Sequence, residues 1–101
     1  MEVINVMTVI SYDVDTKDPS GARRLRRVAK ICVNYGQRVQ NSVFECRADA
    51  ATLEKVKKQL LDAIDCEKDS LRFYKLGNRY QSKIEQYGKS SSYEAEGFIA
   101  L

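Results

Sequence analysis

The sequence predicts an α+β fold with elements in the order βαββαβ, a ferredoxin-like sandwich, followed by one extra strand near the C-terminus. A chain of 101 residues is long enough for one layered core but not for two. Two of its segments carry apolar residues at helical spacing, and several others have the length and alternation of strands. This order places both helices on one face of an antiparallel sheet, so residues 1–101 are predicted to form a single domain.

The first strand is predicted over residues 5–14, where both alternating faces are largely apolar. Such a pattern is typical of an interior strand, and it places Asp13 at the carboxyl end. Residues 15–21 are predicted to form a turn, in which Asp18 or Ser20 is the N-cap of the next helix.

The first helix and a hairpin follow this turn. The helix is predicted over 22–35, with Gly36 suited to the position just after its end. Short strands are predicted over 37–40 and 42–47. The apolar stripe of the helix is formed by Ala22, Leu25, Val28, Ala29 and Cys32.

The C-terminal half begins with a second helix, predicted over 50–65 and capped by Asp49. Its buried face is formed by Leu53, Val56, Leu60, Leu61 and Ile64. A strand over 70–76 and a shorter one over 83–87 follow. Residues 89–101 are predicted to be a serine-rich link and an apolar tail strand that pairs with a partner protomer, or that folds back on its own sheet.

The sheet face without helices is expected to be a dimer interface. An exposed apolar sheet face more often marks an interface than a solvated surface. Two such sheets stacked face to face about a twofold axis would bury both faces, and isologous dimers are the commonest oligomers.

Composition excludes several classes of protein. The three cysteines form no CxxC pair, so neither a disulfide framework nor a zinc site is indicated. There is no charged and apolar leader, and no apolar run reaches the roughly 18 residues of a membrane span. The expected protein is therefore soluble and cytoplasmic, without a membrane partner.

Asp13 is the candidate metal ligand. A carboxylate at the end of a central strand can coordinate Mg²⁺ or Mn²⁺, ions that bind one or two protein carboxylates and keep several waters. One protomer offers a single well-placed aspartate, so the economical site is a symmetric pair of Asp13 side chains around one ion. From position alone, an aspartate that ends the strand or caps a turn is the stronger interpretation. Asp15 and Asp18 could assist, although turn formation explains both.

A basic ridge is the second candidate site. The ridge consists of Arg23, Arg26, Arg27 and Lys30, spaced i, i+3, i+4 and i+7 opposite the apolar stripe. Cations in a first helical turn cost roughly 0.3–1 kcal/mol each, and a bound anion would reverse that cost. A solvated face is the usual interpretation of helical charges, but these charges share one sign, which favours phosphate binding.

The predicted hairpin carries three more candidates. Arg38 could hold a phosphate, and Ser42 could donate a hydrogen bond to one or simply end the turn. Phe44 could stack on a base, although packing in a core or an interface is the stronger interpretation for a lone phenylalanine. The chain has no histidine, so phosphodiester cleavage would depend on a metal-bound hydroxide as nucleophile.

Three segments together resemble a known family: SYDV at 11–14, GQRVQNSVFEC at 36–46 and KDSLRFYKLG at 68–77. They are similar, in the same order, to the small subunit of the CRISPR adaptation machinery, the Cas-two family. The resemblance implies the stacked dimer, the exchange of tails, a metal ligand role for Asp13 at the dimer interface, and roles in nuclease activity for Arg38 and Phe44.

The function that this resemblance implies is a CRISPR adaptation subunit in antiviral defence. Such a homodimer would bridge copies of the Cas-one integrase, hold foreign DNA during spacer acquisition, and cleave RNA or double-stranded DNA with Mg²⁺. Two alternatives from other classes are a toxin-like messenger-RNA interferase and a regulatory module that binds a small molecule. An adjacent integrase gene would favour the first function and an antitoxin gene the second, whereas salt-dependent DNA binding would argue against the third.

Overall fold

A computed structural model describes residues 3–88 of the chain. The elements are β1 (Val6–Asp13), α1 (Gly21–Tyr35), β2 (Gln37–Gln40), β3 (Val43–Ala48), α2 (Ala50–Ala63), β4 (Ser70–Gly77) and a 3₁₀ turn (Gln81–Lys83). The predicted α+β class and the βαββαβ order are confirmed.

The sheet has the order β2-β3-β1-β4, and each neighbouring pair is antiparallel. β1 is therefore an interior strand, as its two apolar faces predict. Ser11 lies opposite Val43 on β3, and Asp13 lies opposite Ser70 on β4. The end of β1, the β2–β3 turn and the start of β4 consequently meet at one end of the sheet.

The core lies between the two helices and one sheet face. The strands contribute Ile10 and Phe44, which are only 1% and 0% exposed. The helices contribute Val28, Val56 and Leu60. Cys32 and Cys46 are also buried, and burial raises the pKa of Cys32 to about 12. Both thiols are therefore buried, and Cys46 Sγ donates a 3.3 Å hydrogen bond to the carbonyl of Tyr35.

The ends of α1 differ in detail from the prediction. Ala22 is expected on the apolar stripe but is exposed, because the buried face of α1 runs through Gly21, Val28 and Cys32 and Ala22 lies one step, about 100°, round the helix from Gly21. Ser20 is the N-cap residue, but its side chain caps no backbone N–H and instead donates to Asp18. Gly36 follows the helix in an extended conformation, and a Cβ there would lie 2.7 Å from the carbonyl oxygen of Glu45. Close approach to β3, not a left-handed turn, therefore requires this glycine.

α2 begins with the predicted N-cap but is shorter than predicted. Asp49 accepts a 2.8 Å hydrogen bond from the backbone N–H of Thr52, a side-chain N-cap. The helix ends at Ala63 because Ile64 is extended and the N–H of Asp65 donates to the side chain of Asp69.

The buried face of α2 is narrower than the sequence predicts. Its buried residues are Val56, Leu60 and Ala63, which recur at helical spacing and face the sheet. Leu61 is expected on this face but is 44% exposed, because one step along a helix turns a side chain by about 100° away from Leu60.

The strand expected over 83–87 is not present in the described chain. Residues 81–83 form a 3₁₀ turn, and residues 84–87 belong to no helix or strand. Lys83 Nζ donates to the carbonyl of Leu76, which holds this segment against the end of β4. The predicted tail strand and its pairing partner lie outside the described residues and stay a prediction.

Candidate nuclease site

Asp13 ends β1 as an exposed side chain. It borders a shallow depression of about 470 Å³, whose lining also includes Lys17, Glu67 and Lys68. Between residues 3 and 88, no hydrogen bond or ion pair engages the Asp13 carboxylate. Both of its oxygens are therefore open to a ligand.

The neighbouring aspartates are already engaged, whereas the exposed Glu67 carboxylate on the same depression has no hydrogen bond or ion pair within residues 3–88. Asp15 accepts a hydrogen bond from the N–H of Lys17, and Asp18 accepts one from the N–H of Ser20, so both shape the turn as expected. Asp69 has no exposed side-chain surface. Within the described part of the chain, no group of three or more histidine, cysteine, aspartate or glutamate residues could hold a metal.

An exposed carboxylate without a protein partner suits a hard cation such as Mg²⁺, which keeps most of its waters. In one protomer, Asp13 and Glu67 are the carboxylates on this depression that have no protein partner within residues 3–88. A single carboxylate binds such an ion weakly, so a strong site requires a second ligand, from Glu67 or from a second protomer.

Arg38 and Phe44 lie opposite each other on β2 and β3. The guanidinium of Arg38 is 4.8 Å from the centre of the Phe44 ring, a cation–π contact, and it donates a 2.7 Å hydrogen bond to the carbonyl of Asn41. The Phe44 ring is fully buried and stacks with Tyr12 at a centroid distance of 6.1 Å. Phe44 therefore packs in the core and supports Arg38, and it offers no open face for a base.

Ser42 lies in the β2–β3 turn beside the end of β1. Its carbonyl accepts a 3.1 Å hydrogen bond from the backbone N–H of Tyr12, which fixes the turn next to Asp13. Burial raises the pKa of the Tyr12 hydroxyl, and the positive charge of Arg38 partly opposes that rise. Asp13 and Ser42 thus lie at the same end of the sheet, and Arg38 lies on the edge strand β2.

The basic ridge lies along the outer surface of α1. All four of its side chains are exposed, and none forms an ion pair within residues 3–88: Arg23, Arg26, Arg27 and Lys30. The first turn of α1 contains no acidic residue. The ridge is therefore a surface of unpaired positive charge that begins at the same end of the sheet as Asp13.

Arg24 and Asp69 are not among the residues that the sequence predicts for the site, yet they organise this end of the molecule. Arg24 Nε lies 2.8 Å from Asp69 Oδ2, and a second nitrogen lies 3.0 Å from Asp18 Oδ2. Lys68 joins the same Asp18 oxygen at 2.9 Å. One signal was available in the sequence: Arg24 falls off the spacing of the ridge, so it had to point elsewhere.

The sheet face without helices carries apolar side chains, as predicted. Val9, Val43, Tyr74 and Ile84 border a shallow depression of about 400 Å³ on this face. Tyr74 is 44% exposed, although Arg72 lies over its ring. The same depression is lined in part by polar side chains, among them Glu45, Lys83 and Glu85, so this surface is only partly apolar.

Neither helix in the described range is both long and apolar enough to cross a bilayer.

Comparison with known proteins identifies the family. The protein-family model described as CRISPR associated protein Cas2 matches residues 6–84 of this chain. The CRISPR-associated endoribonuclease Cas2 of Nitratidesulfovibrio vulgaris is 52% identical over 95% of this chain and 94% of its own length. The CRISPR-associated endonuclease Cas2 of Halalkalibacterium halodurans is 53% identical over 90% of this chain and 95% of its own. The crystal structure of Streptococcus pyogenes Cas2 superposes with a TM-score of 0.69 at 51% identity, covering 81% of this chain and 99% of that one. These matches cover both the Asp13 strand and the hairpin, and the chain belongs to the Cas2 family of CRISPR associated proteins.

Proposed function

We propose that this CRISPR-associated nuclease works as a twofold dimer in which two Asp13 carboxylates share one Mg²⁺ or Mn²⁺ ion. The nuclease role itself follows from the family and from relatives named endonuclease and endoribonuclease. One observation carries the metal proposal: Asp13 is exposed and unengaged, while Asp15, Asp18 and Asp69 beside it all have partners. A symmetric pair of Asp13 side chains would supply the second ligand that a strong site requires.

Phosphodiester cleavage needs a base or a metal ion to generate its nucleophile, and the chain has no histidine to act as that base. When bound, the ion would supply a water of lowered pKa and would offset negative charge on the phosphate. Asp13 would hold the ion. Arg38 has no carboxylate partner within residues 3–88, so its remaining N–H groups could bind a phosphate oxygen.

The dimer would form through the sheet face without helices. Burying Val9, Val43 and Tyr74 against the same residues of a second copy would remove an apolar surface from water. β1 carries Asp13 at the end of this sheet, so stacking two sheets about a twofold axis can bring the two aspartates together.

A charge placed in this interface tests the proposal. We expect Val43→Lys to raise the dimer dissociation constant at least about 10-fold, because a buried unpaired charge costs well over about 1.4 kcal/mol. Metal-dependent cleavage of labelled RNA and duplex DNA should be abolished in parallel. The control is Val33→Lys, the same substitution at a 58% exposed position on α1. Sedimentation equilibrium and initial rates with Mg²⁺ or EDTA measure both effects; a monomeric variant that cleaves at the wild-type rate would contradict the shared site.

We also propose that the dimer bridges two copies of the Cas-one integrase and holds DNA during spacer acquisition. A twofold dimer presents two equivalent surfaces, which is what bridging requires. Pull-down of the integrase by wild type, Val43→Lys and Val33→Lys tests this role separately from cleavage. Two integrase copies per complex are expected for the wild type and Val33→Lys, and only one for a monomeric Val43→Lys.

The basic ridge would bind the nucleic-acid backbone without reading sequence. Replacing Arg23, Arg26 and Arg27 by glutamine should weaken binding to all duplexes alike. The slope of log affinity against log salt should become shallower by about 0.9 for each phosphate that the ridge no longer neutralises. The control variant removes the same charge elsewhere: Lys55, Lys58 and Arg79, all exposed, are replaced by glutamine. Equal slopes of log affinity against log salt in the two triple variants would mean that the ridge affects binding only through the net charge of the protein.

A further inference from the structure

Asp69 is the fixed centre of a hydrogen-bond network next to Asp13. Its side chain has no exposed surface, and each of its oxygens accepts two hydrogen bonds. Oδ1 accepts from the N–H of Asp15 at 3.0 Å and from Arg24 at 3.1 Å. Oδ2 accepts from Arg24 Nε and from the N–H of Asp65, both at 2.8 Å. This carboxylate therefore joins the loop after β1, the first turn of α1 and the end of α2.

Arg24 continues the network into the loop that follows Asp13. Besides its two bonds to Asp69, its guanidinium donates to the carbonyl of Asp15 at 3.4 Å, to the hydroxyl of Ser20 at 2.6 Å and to the carboxylate of Asp18 at 3.0 Å. A single planar guanidinium therefore contacts both ends of the loop over residues 15–20. A lysine at this position keeps the charge but cannot form these bonds together.

The loop is also pressed closely against the start of α1. A Cβ on Gly21 would lie 2.0 Å from the carbonyl oxygen of Asp15, so no other residue fits without moving the loop. The loop is thus held by its backbone contact with Gly21 as well as by Arg24.

Asp13 lies between two points that this network fixes. Asp15 follows it by two residues on one side, and on the other side its cross-strand partner Ser70 directly follows Asp69. The charges within the network balance, because Arg24 and Lys68 face Asp18 and Asp69. The network therefore fixes the backbone around Asp13 without adding net charge beside it.

We infer that Arg24 is a positioning residue: held by Asp69, it fixes the loop over residues 15–20 so that the Asp13 carboxylate is presented in the orientation that a shared divalent cation requires. This inference rests on the proposed metal site. Partners that orient a metal ligand are typically worth about 10–100-fold in metal affinity. A purely structural pair would instead change stability and leave metal affinity alone.

The test uses Mn²⁺ binding to the full-length protein, followed by the electron paramagnetic resonance signal of the free ion. Arg24→Lys keeps the positive charge and is expected to weaken Mn²⁺ affinity at least about 10-fold. Arg79→Lys, the same substitution on an exposed side chain outside the basic ridge and the candidate site, should bind Mn²⁺ as the wild type does. Thermal denaturation of each variant reports stability separately.

A second variant covers the case in which Arg24→Lys does not fold. Asp18→Asn removes only the loop end of the network, where the side chain is 19% exposed, and should weaken Mn²⁺ binding by a smaller factor of about 3–10. If a folded Arg24→Lys protein binds Mn²⁺ with wild-type affinity, the positioning role is overturned and the proposed Asp13 site is not affected. If only Asp18→Asn folds, wild-type affinity in that variant has the same meaning. Failure of the wild type itself to bind Mn²⁺ would overturn the metal site and the positioning role together.

Discussion

Replacing Asp13 with alanine is expected to lower metal-dependent cleavage at least about 100-fold, a decrease of about 2.7 kcal/mol in transition-state stabilisation. The physical reason is that Asp13 is the proposed ligand at the end of β1, and the aspartates beside it, Asp15, Asp18 and Asp69, all have protein partners. The fold and the dimer should survive, because the side chain is exposed and an exposed substitution usually changes stability by less than about 0.5 kcal/mol. Initial cleavage rates on RNA and duplex DNA with Mg²⁺ measure the effect.

The control for this experiment is Asp62→Ala, which removes an exposed acid from α2. It should cleave at the wild-type rate. Since a trace of contaminating nuclease would mimic activity, all three proteins must be purified by the same steps. Cleavage by Asp13→Ala at the wild-type rate, still sensitive to EDTA, would show that the ion is held elsewhere.

The elements that the sequence predicted well are those whose signals are local. The two apolar faces of residues 5–14 require neighbours on both sides, and β1 indeed lies between β3 and β4. Asp49 is followed three residues later by Thr52, whose N–H it caps. The strand expected over 83–87 failed for the opposite reason: a strand depends on a backbone partner from elsewhere in the fold, and residues 84–87 pair with no strand of the described protomer.

The residues of the candidate site also fall into those that local sequence could predict and those that it could not. The end of a strand is a local feature, so the exposed position of Asp13 could be predicted. The burial of Phe44 was predicted only as the stronger of two interpretations, because a hairpin sequence does not say which face meets the helices. Arg24 and Asp69 are 45 residues apart, and no spacing rule connects them. Only the fold brings them together, which is why the arginine run looks uniform in sequence while one member is turned inward and ion-paired.

The ion pair between Arg24 and Asp69 gives the largest expected effect on stability. Asp69→Asn keeps the shape of the side chain but removes the charge that faces Arg24, and it replaces one of the two oxygens that accept from the backbone N–H groups of Asp15 and Asp65 by an NH₂ group that cannot accept. Removing one partner of a fully buried ion pair typically costs about 3–5 kcal/mol; because Arg24 is 13% exposed, we expect about 2–3 kcal/mol here and a fall in melting temperature of roughly 10 °C. Urea denaturation at pH 7 measures the free energy directly, with Asp62→Asn as the control within about 0.5 kcal/mol of the wild type.

The pH dependence of this difference identifies its cause. Hydrogen bonds from Arg24 are the main reason that the pKa of Asp69 falls from 3.8 to about 2 in the folded protein. A group whose pKa is lowered by folding stabilises the fold above its unfolded pKa and loses that contribution as the pH falls through its folded pKa. The gap between wild type and Asp69→Asn should therefore be constant above about pH 5 and should narrow between about pH 4 and pH 2, where the wild-type carboxyl becomes neutral like the amide. A gap that stays constant down to about pH 2 would mean that altered packing or hydrogen-bond geometry, rather than the ion pair with Arg24, causes the destabilisation.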